Sequence, residues 1–375
     1  MKAGSARWLP NGKAGITAWH RQIGRAQHSV VFQTYIFRDD ATGVALRDAL
    51  VDAANRGVRV RLLVDAFGGL SLPGDFFHPL ERAGGQWRSF NPLSLKRLSY
   101  RNHRKLLVAD RRWAVLGGFN VGDEYAGDGV ASGWCDLGVV LDGEPASELA
   151  ASFDRLFLMA ADRPDRLARL RRARERQSSG PASARLLLSG PGLGHNPLKA
   201  ALMNDLGRAN DEVCLVSPYF LPTWAIRRRL IKLARRGVTV RLLLPGRSDV
   251  GFAKLASEAL YRKLLLAGVR ILEYQPQILH AKLWLLGSAV YVGSANLNTR
   301  SLGIDYELML RLTDPRAVCE ARGLFDAMAE QAREIEWPVW RQQQSWWARL
   351  RQRLAYWLMA RVDPMIAGWL WRRAD

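Results

Sequence analysis

Two stretches of the chain carry the same succession of polar and apolar positions. Ala54–Val64 reads ANRGVRVRLLV and Ala234–Leu244 reads ARRGVTVRLLL. Each is a glycine-centred polar turn running into an apolar segment, the pattern of a strand entering a buried sheet. Ahead of each, apolar residues recur at helical spacing: Leu46, Leu50 and Ala54 in the first copy, Ile226, Leu230 and Ala234 in the second. That spacing predicts an amphipathic helix. Thr42 and Thr223 stand where an N-cap is expected, and Gly57 and Gly237 where the chain leaves a helix in a left-handed conformation.

A strand-like run precedes each helix, VVFQTYIF (Val30–Phe37) and VCLVSPYF (Val213–Phe220). Another follows the shared motif, QWRSFNP ending at Pro92 and VRILEYQP ending at Pro276. Strands alternating with helices, written twice, predict an α/β protein of two repeated halves. The halves are placed at 1–165 and 186–330. Between them Asp162–Arg185 is charged and then rich in Ser, Gly and Pro, which reads as a basic helix and a linker, the linker at 166–185. Residues 331–375 form a tail of different character, rich in Trp and Arg.

The chemistry sits just beyond the repeated strands. HRKLLVADRRWAVLGGFN begins at His103 and HAKLWLLGSAVYVGSAN at His280. Each has a lysine at +2 (Lys105, Lys282), and an asparagine, Asn120 or Asn296, closing a Gly-[Gly/Ser]-x-Asn cluster. Residues i and i+2 of a strand face the same side, so each copy presents an imidazole beside an ammonium. A single such histidine would read as an ordinary strand residue; the repetition is what favours catalysis. The first copy also carries a seven-residue insertion before its histidine, around Leu93–Tyr100.

Charge sharpens this. With 55 Lys and Arg against 35 Asp and Glu, the net charge is +20, which favours phosphate-rich partners, either nucleic acid or an anionic lipid surface. Cys135, Cys214 and Cys319 are far apart and show no CxxC spacing, so neither a disulfide framework nor a structural zinc site is expected, and a reducing cytoplasmic setting is. The N-terminus has no apolar core of a signal peptide, and no stretch of about 18 apolar residues is present to span a bilayer.

Paired H-x-K-x(4)-D and G-[GS]-x-N elements resemble the phospholipase D superfamily, and YIFRDD, RNHRK and GGFN in that order resemble its bacterial cardiolipin synthase branch. The resemblance covers about Arg7–Thr313. It implies two phospholipase D-type α/β/α halves sharing one active site at their interface. The catalytic set it implies is His103, Lys105, Asp110, His280 and Lys282. One histidine attacks a phosphodiester phosphorus to give a phosphohistidine and the other protonates the leaving alcohol. The residues leave open which is the nucleophile; the resemblance leans to His103. Lys105 and Lys282, with Asn120, Asn296, Gly118 and Ser294, would hold the phosphate oxygens. Asp136 and Glu307, each following the asparagine of its own half, would orient the histidine of that half, with strand-edge pairing as the alternative. No metal or other cofactor is called for, since two lysines supply the positive charge.

The second copy lacks the acid of its motif: Gly287 stands where Asp110 stands in the first. Seven residues of extended strand span about 23 Å and an odd offset points the other way, so Asp110 is expected to organise the turn into RRW, not to orient His103. Gly287-Ser288 suits a two-residue type II′ hairpin. The second half is therefore expected to work without the aspartate.

The tail decides between lipid and nucleic acid. It holds seven of the 14 tryptophans, and Trp347, Leu350, Leu354, Trp357 and Leu358 share one helical face flanked by Arg349, Arg351 and Arg353. This fits a helix lying on an anionic membrane, with packing against its own domain as the alternative. The expected function is a cardiolipin synthase-type phosphatidyltransferase acting on phosphatidylglycerol, with hydrolysis as a side reaction. The expected partners are anionic phospholipids (phosphatidylglycerol, cardiolipin) at the cytoplasmic side of a bacterial cell membrane, bound peripherally. A nuclease of the same superfamily and a catalytically silent lipid-binding protein are the alternatives.

Overall fold

The computed structural model describes residues 6–91, 100–160, 177–181, 183–191 and 195–362. The first sheet holds β1 (Ala6–Leu9), β2 (Ser29–Thr34), β3 (Arg59–Asp65), β4 (Gln86–Phe90), β5 (Leu106–Ala109), β6 (Trp113–Gly117) and β7 (Gly138–Asp142). Its spatial order is β1-β7-β6-β5-β2-β3-β4. The second holds β8 (Gln177–Ser179), β9 (Ala184–Ser189), β10 (Glu212–Val216), β11 (Thr239–Pro245), β12 (Arg270–Tyr274), β13 (Leu283–Leu286), β14 (Ala289–Gly293), β15 (Glu307–Leu312) and β16 (Ala332–Glu334). Its order is β16-β12-β11-β10-β13-β14-β15-β9-β8. Stripped of its extra edge strands, the second order repeats the first. The duplication also reaches further than the sequence pattern: β1 lies antiparallel on β7 as β9 does on β15.

The repeated apolar runs are buried on both faces, as mixed sheets covered by helices require. Neighbouring residues on β3 go opposite ways. Leu62 packs under the outer helices of the first half, and Leu63 enters a core shared by both halves. Leu242 and Leu243 on β11 divide in the same way. The shared core contains Phe153 of helix Glu144–Met159 and Phe325 of helix Pro315–Glu330. It joins the two sheets into one body whose cleft lies where the strands β5 and β13 begin.

Gly57 and Gly237 end their helices at φ +86° and +88°, as expected. The N-cap at Thr42 is corrected: Asp40 accepts from Gly43 N at 2.9 Å, and Thr42 N donates instead to Asp123. A carboxylate two residues earlier holds the N-cap position and takes the free amide. Thr223 occupies the N-cap position of helix Trp224–Arg235, but its side chain makes no capping hydrogen bond there. The boundaries also shift. β8 and the start of β9 fall inside the expected linker, and β16, inside the expected tail, closes the edge of the second sheet on β12. The basic helix expected between the halves and most of the insertion at Leu93–Tyr100 lie outside the described residues.

Candidate active site

His103 and His280 are not on their strands, as the spacing suggested, but at the entrances to them. β5 begins at Leu106 and β13 at Leu283. The residues just before pair with the opposite half: Asn102 bridges Tyr306, and Leu279 bridges Cys135, both parallel. His103 N donates to Tyr306 O at 3.0 Å and His280 N to Cys135 O at 2.7 Å. Leaving its own sheet gives each histidine a backbone anchor on the other repeat.

The same bridges carry the carboxylates across. Residue 307 follows Tyr306 and residue 136 follows Cys135, so Glu307 faces His103 and Asp136 faces His280. His103 Nδ1 lies 3.1 Å from Glu307 Oε1, and His280 Nδ1 lies 2.6 Å from Asp136 Oδ2. The expected pairing within each half is therefore corrected: both pairs are exchanged. The sequence order of motifs could not show this, because parallel bridging of distant segments leaves no local pattern.

His103 Nδ1 meets a second acceptor, Ser294 O, at 3.1 Å. Flanked by two acceptors it must carry the proton, which leaves Nε2 with its lone pair. Gly118 and Ser294 take up different work from the phosphate contacts expected of them. A β-carbon on Gly118 would collide with Asp136 Oδ1, so glycine makes room for that carboxylate. Ser294, in the corresponding place, donates Oγ–H to Glu307 and accepts from Leu308 N. Asn120 accepts from Ile36 N at 3.2 Å and donates to Tyr125 OH at 2.8 Å; Asn296 is also buried, and its Oδ1 has no hydrogen-bond partner among the described residues.

Both lysines are buried against their histidines. Lys105 Nζ donates to His103 O at 2.7 Å, and Lys282 Nζ lies 3.1 Å from His280 Nε2. Burial holds Lys105 well below the usual ammonium range and brings Lys282 down to about 8. Burial also lowers both imidazoles, His280 furthest, with Lys282 adding to the effect. The carboxylates differ. Burial raises Asp136 to about 7 against the pull of Lys282, whereas at Glu307 the upward push of burial is outweighed by His103, Lys105 and Ser294. A buried cluster in which amines are discouraged from carrying charge gains most from an incoming anion.

Asp110 is not part of this cluster, which corrects its place in the catalytic set. Its carboxylate sits at the far end of β5 and accepts from the amides of Gln27, His28 and Ser29 at 2.8–3.0 Å. It ties the approach to β2 onto the three-residue turn between Ala109 and Trp113. In the second half the turn is shorter: Leu286 pairs with Ala289, Gly287 has φ +59°, and Ser288 has no positive φ. This is the type II′ hairpin the sequence suggested.

Several contributors were not foreseen. Tyr35 lies 5.1 Å from the His103 ring; Tyr125 and Trp134 lie 5.2 and 5.5 Å from that of His280. Arg104, between the first histidine and its lysine, points away from the cleft and donates to Glu307 O, Ser189 O and Ser152 Oγ, locking the halves together. Its burial inside HRK was the one available hint, since an arginine alternating with two site residues must face the other side of the segment.

Two histidine–lysine pairs, each histidine backed by a carboxylate and all converging from duplicated α/β halves, define a phosphodiester-transferring site of the phospholipase D type. The family model described as "Cardiolipin synthase, PLD-like domain" matches residues 20–157 and 202–329, and the chain belongs to that family. It is 33% identical over 336 residues to cardiolipin synthase A of Pseudomonas fluorescens, covering 88% of this chain and 69% of that protein. With cardiolipin synthase 1 of Bacillus cereus it shares 28% identity over 374 residues, 96% of this chain and 72% of the relative. Phosphatidylserine synthase of Haemophilus influenzae has the same fold, with a TM-score of 0.77 at 14% identity over 97% of this chain and 95% of that one.

Proposed function

We propose that this chain is a cardiolipin synthase-type phosphatidyltransferase that joins two phosphatidylglycerol molecules and releases glycerol. The observation that carries the reading is the exchange of carboxylates, which gives one cleft two imidazoles with opposite duties. His103 Nδ1–H is held by Glu307 and Ser294 O, so Nε2 is free to attack phosphorus. The N–P bond forms as the P–O bond to glycerol breaks, and the leaving oxygen takes a proton from the His280–Asp136 pair. With Asp136 near 7 that pair retains a proton around neutrality, and a titration of this kind belongs to the pair, not to either residue. In the second step the hydroxyl of another phosphatidylglycerol returns its proton to the pair and attacks phosphorus, and the N–P bond breaks. Water in that place gives phosphatidate, the side reaction. Lys105 and Lys282, with the amide nitrogens of Asn120 and Asn296, balance the phosphate charge throughout.

The tail supports a lipid surface as the place of reaction. Helix Trp346–Trp357 packs one face on helix Gly251–Leu265, burying Ala355 and Gln352, and Gln352 donates to Glu258. So the helix does pack on its own domain, while Trp346, Trp347, Leu350, Leu354 and Trp357 remain exposed, Trp347 by 59%. An apolar stripe bordered by arginines suits an anionic bilayer, approached peripherally from the cytoplasmic side. No helix among the described residues is long and apolar enough to cross a membrane, and the remainder of the tail, from residue 363, lies outside them.

The test is incubation with vesicles of head-group-labelled phosphatidylglycerol, with products separated by lipid class. Cardiolipin and free glycerol in equal amounts are expected. Phosphatidate alone would make the protein a hydrolase, and cleavage of single-stranded DNA in preference to lipid would move it to the nuclease reading.

A further inference from the structure

Cardiolipin formation requires the cleft to hold two phosphates: the one that reacts and the one already carried by the acceptor. Lys105, Lys282 and the two histidines account for the first. We propose that Arg101 is the docking point for the second, the phosphodiester of the acceptor lipid. The proposal rests on the phosphatidyl-transfer reading above and assigns it a residue.

Three observations lead there. Arg101, His103 and Lys105 alternate along one segment, while Arg104 between them is turned to Ser152 and Ser189. The pairing of Arg101 O with Tyr306 N and of Tyr306 O with His103 N keeps that segment extended, so the three share the cleft face. Arg101 and His103 are then about 6.6 Å apart along the chain at 3.3 Å per residue. A glycerol bridge between two phosphates spans a distance of that order.

Second, Arg101 is 8% exposed, and its Nη1 is buried with no hydrogen-bond partner among the described residues. Its guanidinium lies over the ring of Phe67, 4.8 Å away on an exposed loop and itself half-exposed. A buried guanidinium nitrogen without a hydrogen bond is costly unless an anion visits it, and the planar fork is suited to a phosphate. Third, the neighbouring acids offer it charge but no hydrogen bond: Asp65 feels the Arg101 charge, yet its oxygens are turned to backbone amides. Asp65 accepts from the amides of Asn102 and Phe67, and Asp305 accepts from the Arg101 amide and pairs with Arg300. Burial raises both, Asp65 to about 7, which weakens the negative charge they would set against a phosphate.

The second half has no counterpart. Leu279 and Ala281 flank His280 with no cationic side chain, and the position two before His280 is Ile278. The cleft is therefore polarised, with the acceptor phosphate on the side of Tyr35, Phe67 and Arg101.

The experiment compares two water-soluble acceptors, radiolabelled glycerol (read as label entering phosphatidylglycerol) and glycerophosphoglycerol, with an unlabelled short-chain phosphatidylglycerol donor, in wild type, Arg101→Gln and Arg101→Lys. Losing a charge-assisted contact should cut kcat/KM for glycerophosphoglycerol by about 10- to 100-fold in Arg101→Gln. Transfer to glycerol should stay within about threefold, and Arg101→Lys should recover part of the loss. Equal losses for both acceptors, or none for either, overturn the proposal. If wild type transfers to neither acceptor, the transferase reading fails by itself. Arg101 is then judged by inhibition of donor hydrolysis: glycerophosphoglycerol should inhibit wild type at least about tenfold better than Arg101→Gln, and equal inhibition overturns the assignment.

Discussion

His280 Nδ1 and Asp136 Oδ2 stand 2.6 Å apart although 144 residues separate them in the chain. Its counterpart, His103 with Glu307, spans 204 residues. Each imidazole is thus aimed by the half to which it does not belong. Asp136→Asn and Glu307→Gln should each lower kcat on the order of 10²-fold or more, because an amide can neither fix the imidazole tautomer nor hold the proton. His103→Ala and His280→Ala should abolish turnover with thermal unfolding little changed. Near-normal transfer by either alanine variant would sink the two-histidine mechanism.

Gly118→Ala tests the room reserved for Asp136. The added methyl must displace the carboxylate, so activity should fall as far as in Asp136→Asn, and Tm should drop as well. An active Gly118→Ala protein would mean that the carboxylate can move without consequence. Ser294→Ala, at the corresponding position, removes the hydrogen bond to Glu307 and the one accepted from Leu308 N, and should cost about 1–2 kcal/mol with a smaller kinetic effect.

The motif aspartate divides stability from catalysis. Asp110→Ala removes an acceptor of three amides and should destabilise the first half by about 1–2 kcal/mol in denaturant titration while kcat stays near wild type. Gly287→Asp should not raise activity and should lower Tm, since φ +59° in a tight hairpin disfavours a side chain. A gain in activity from that substitution would show the second copy to be damaged as it stands.

Activity should fall on the alkaline side. Asp136, raised to about 7 by burial, lets the pair with His280 keep a proton below that pH and lose it above. Lys282, lowered to about 8, loses its charge in the next interval. Both titrations remove a proton the reaction needs, so kcat/KM should decline from about pH 7 to 8. A profile still rising at pH 9 would contradict both assignments.

For the tail, deletion after Trp340 is a poor probe, because it would also strip the packing of Ala355 and Gln352 from helix Gly251–Leu265. Replacing Trp347, Leu350 and Leu354 by serine alters only the exposed stripe. Vesicle sedimentation should weaken severalfold and remain dependent on anionic lipid and low salt, while turnover of a short-chain soluble substrate persists. Unchanged sedimentation would remove the stripe from the account of membrane binding.

Much of this is legible in the sequence, for a physical reason: strands and helices with two-sided burial write their period into the chain. The repeat Ala54–Val64 and Ala234–Leu244, the glycines at 57 and 237, and the hairpin at Gly287 all depend on neighbours a few residues away. What stayed hidden depends on contacts across the cleft. No local pattern says that Glu307 belongs to His103, that Ser294 serves a carboxylate, or that Arg104 braces the opposite half. Thr42 lost its cap to Asp40 for a smaller reason, a stronger acceptor two residues away.

The bridges Asn102–Tyr306 and Cys135–Leu279 have a bearing on how the protein is made. When the first half has left the ribosome, His103 has neither its backbone anchor nor its carboxylate, both of which are still to be synthesised. The emerging chain therefore has no complete site until the second repeat is made. Catalytic power arrives in one late event, when the second repeat closes on the first.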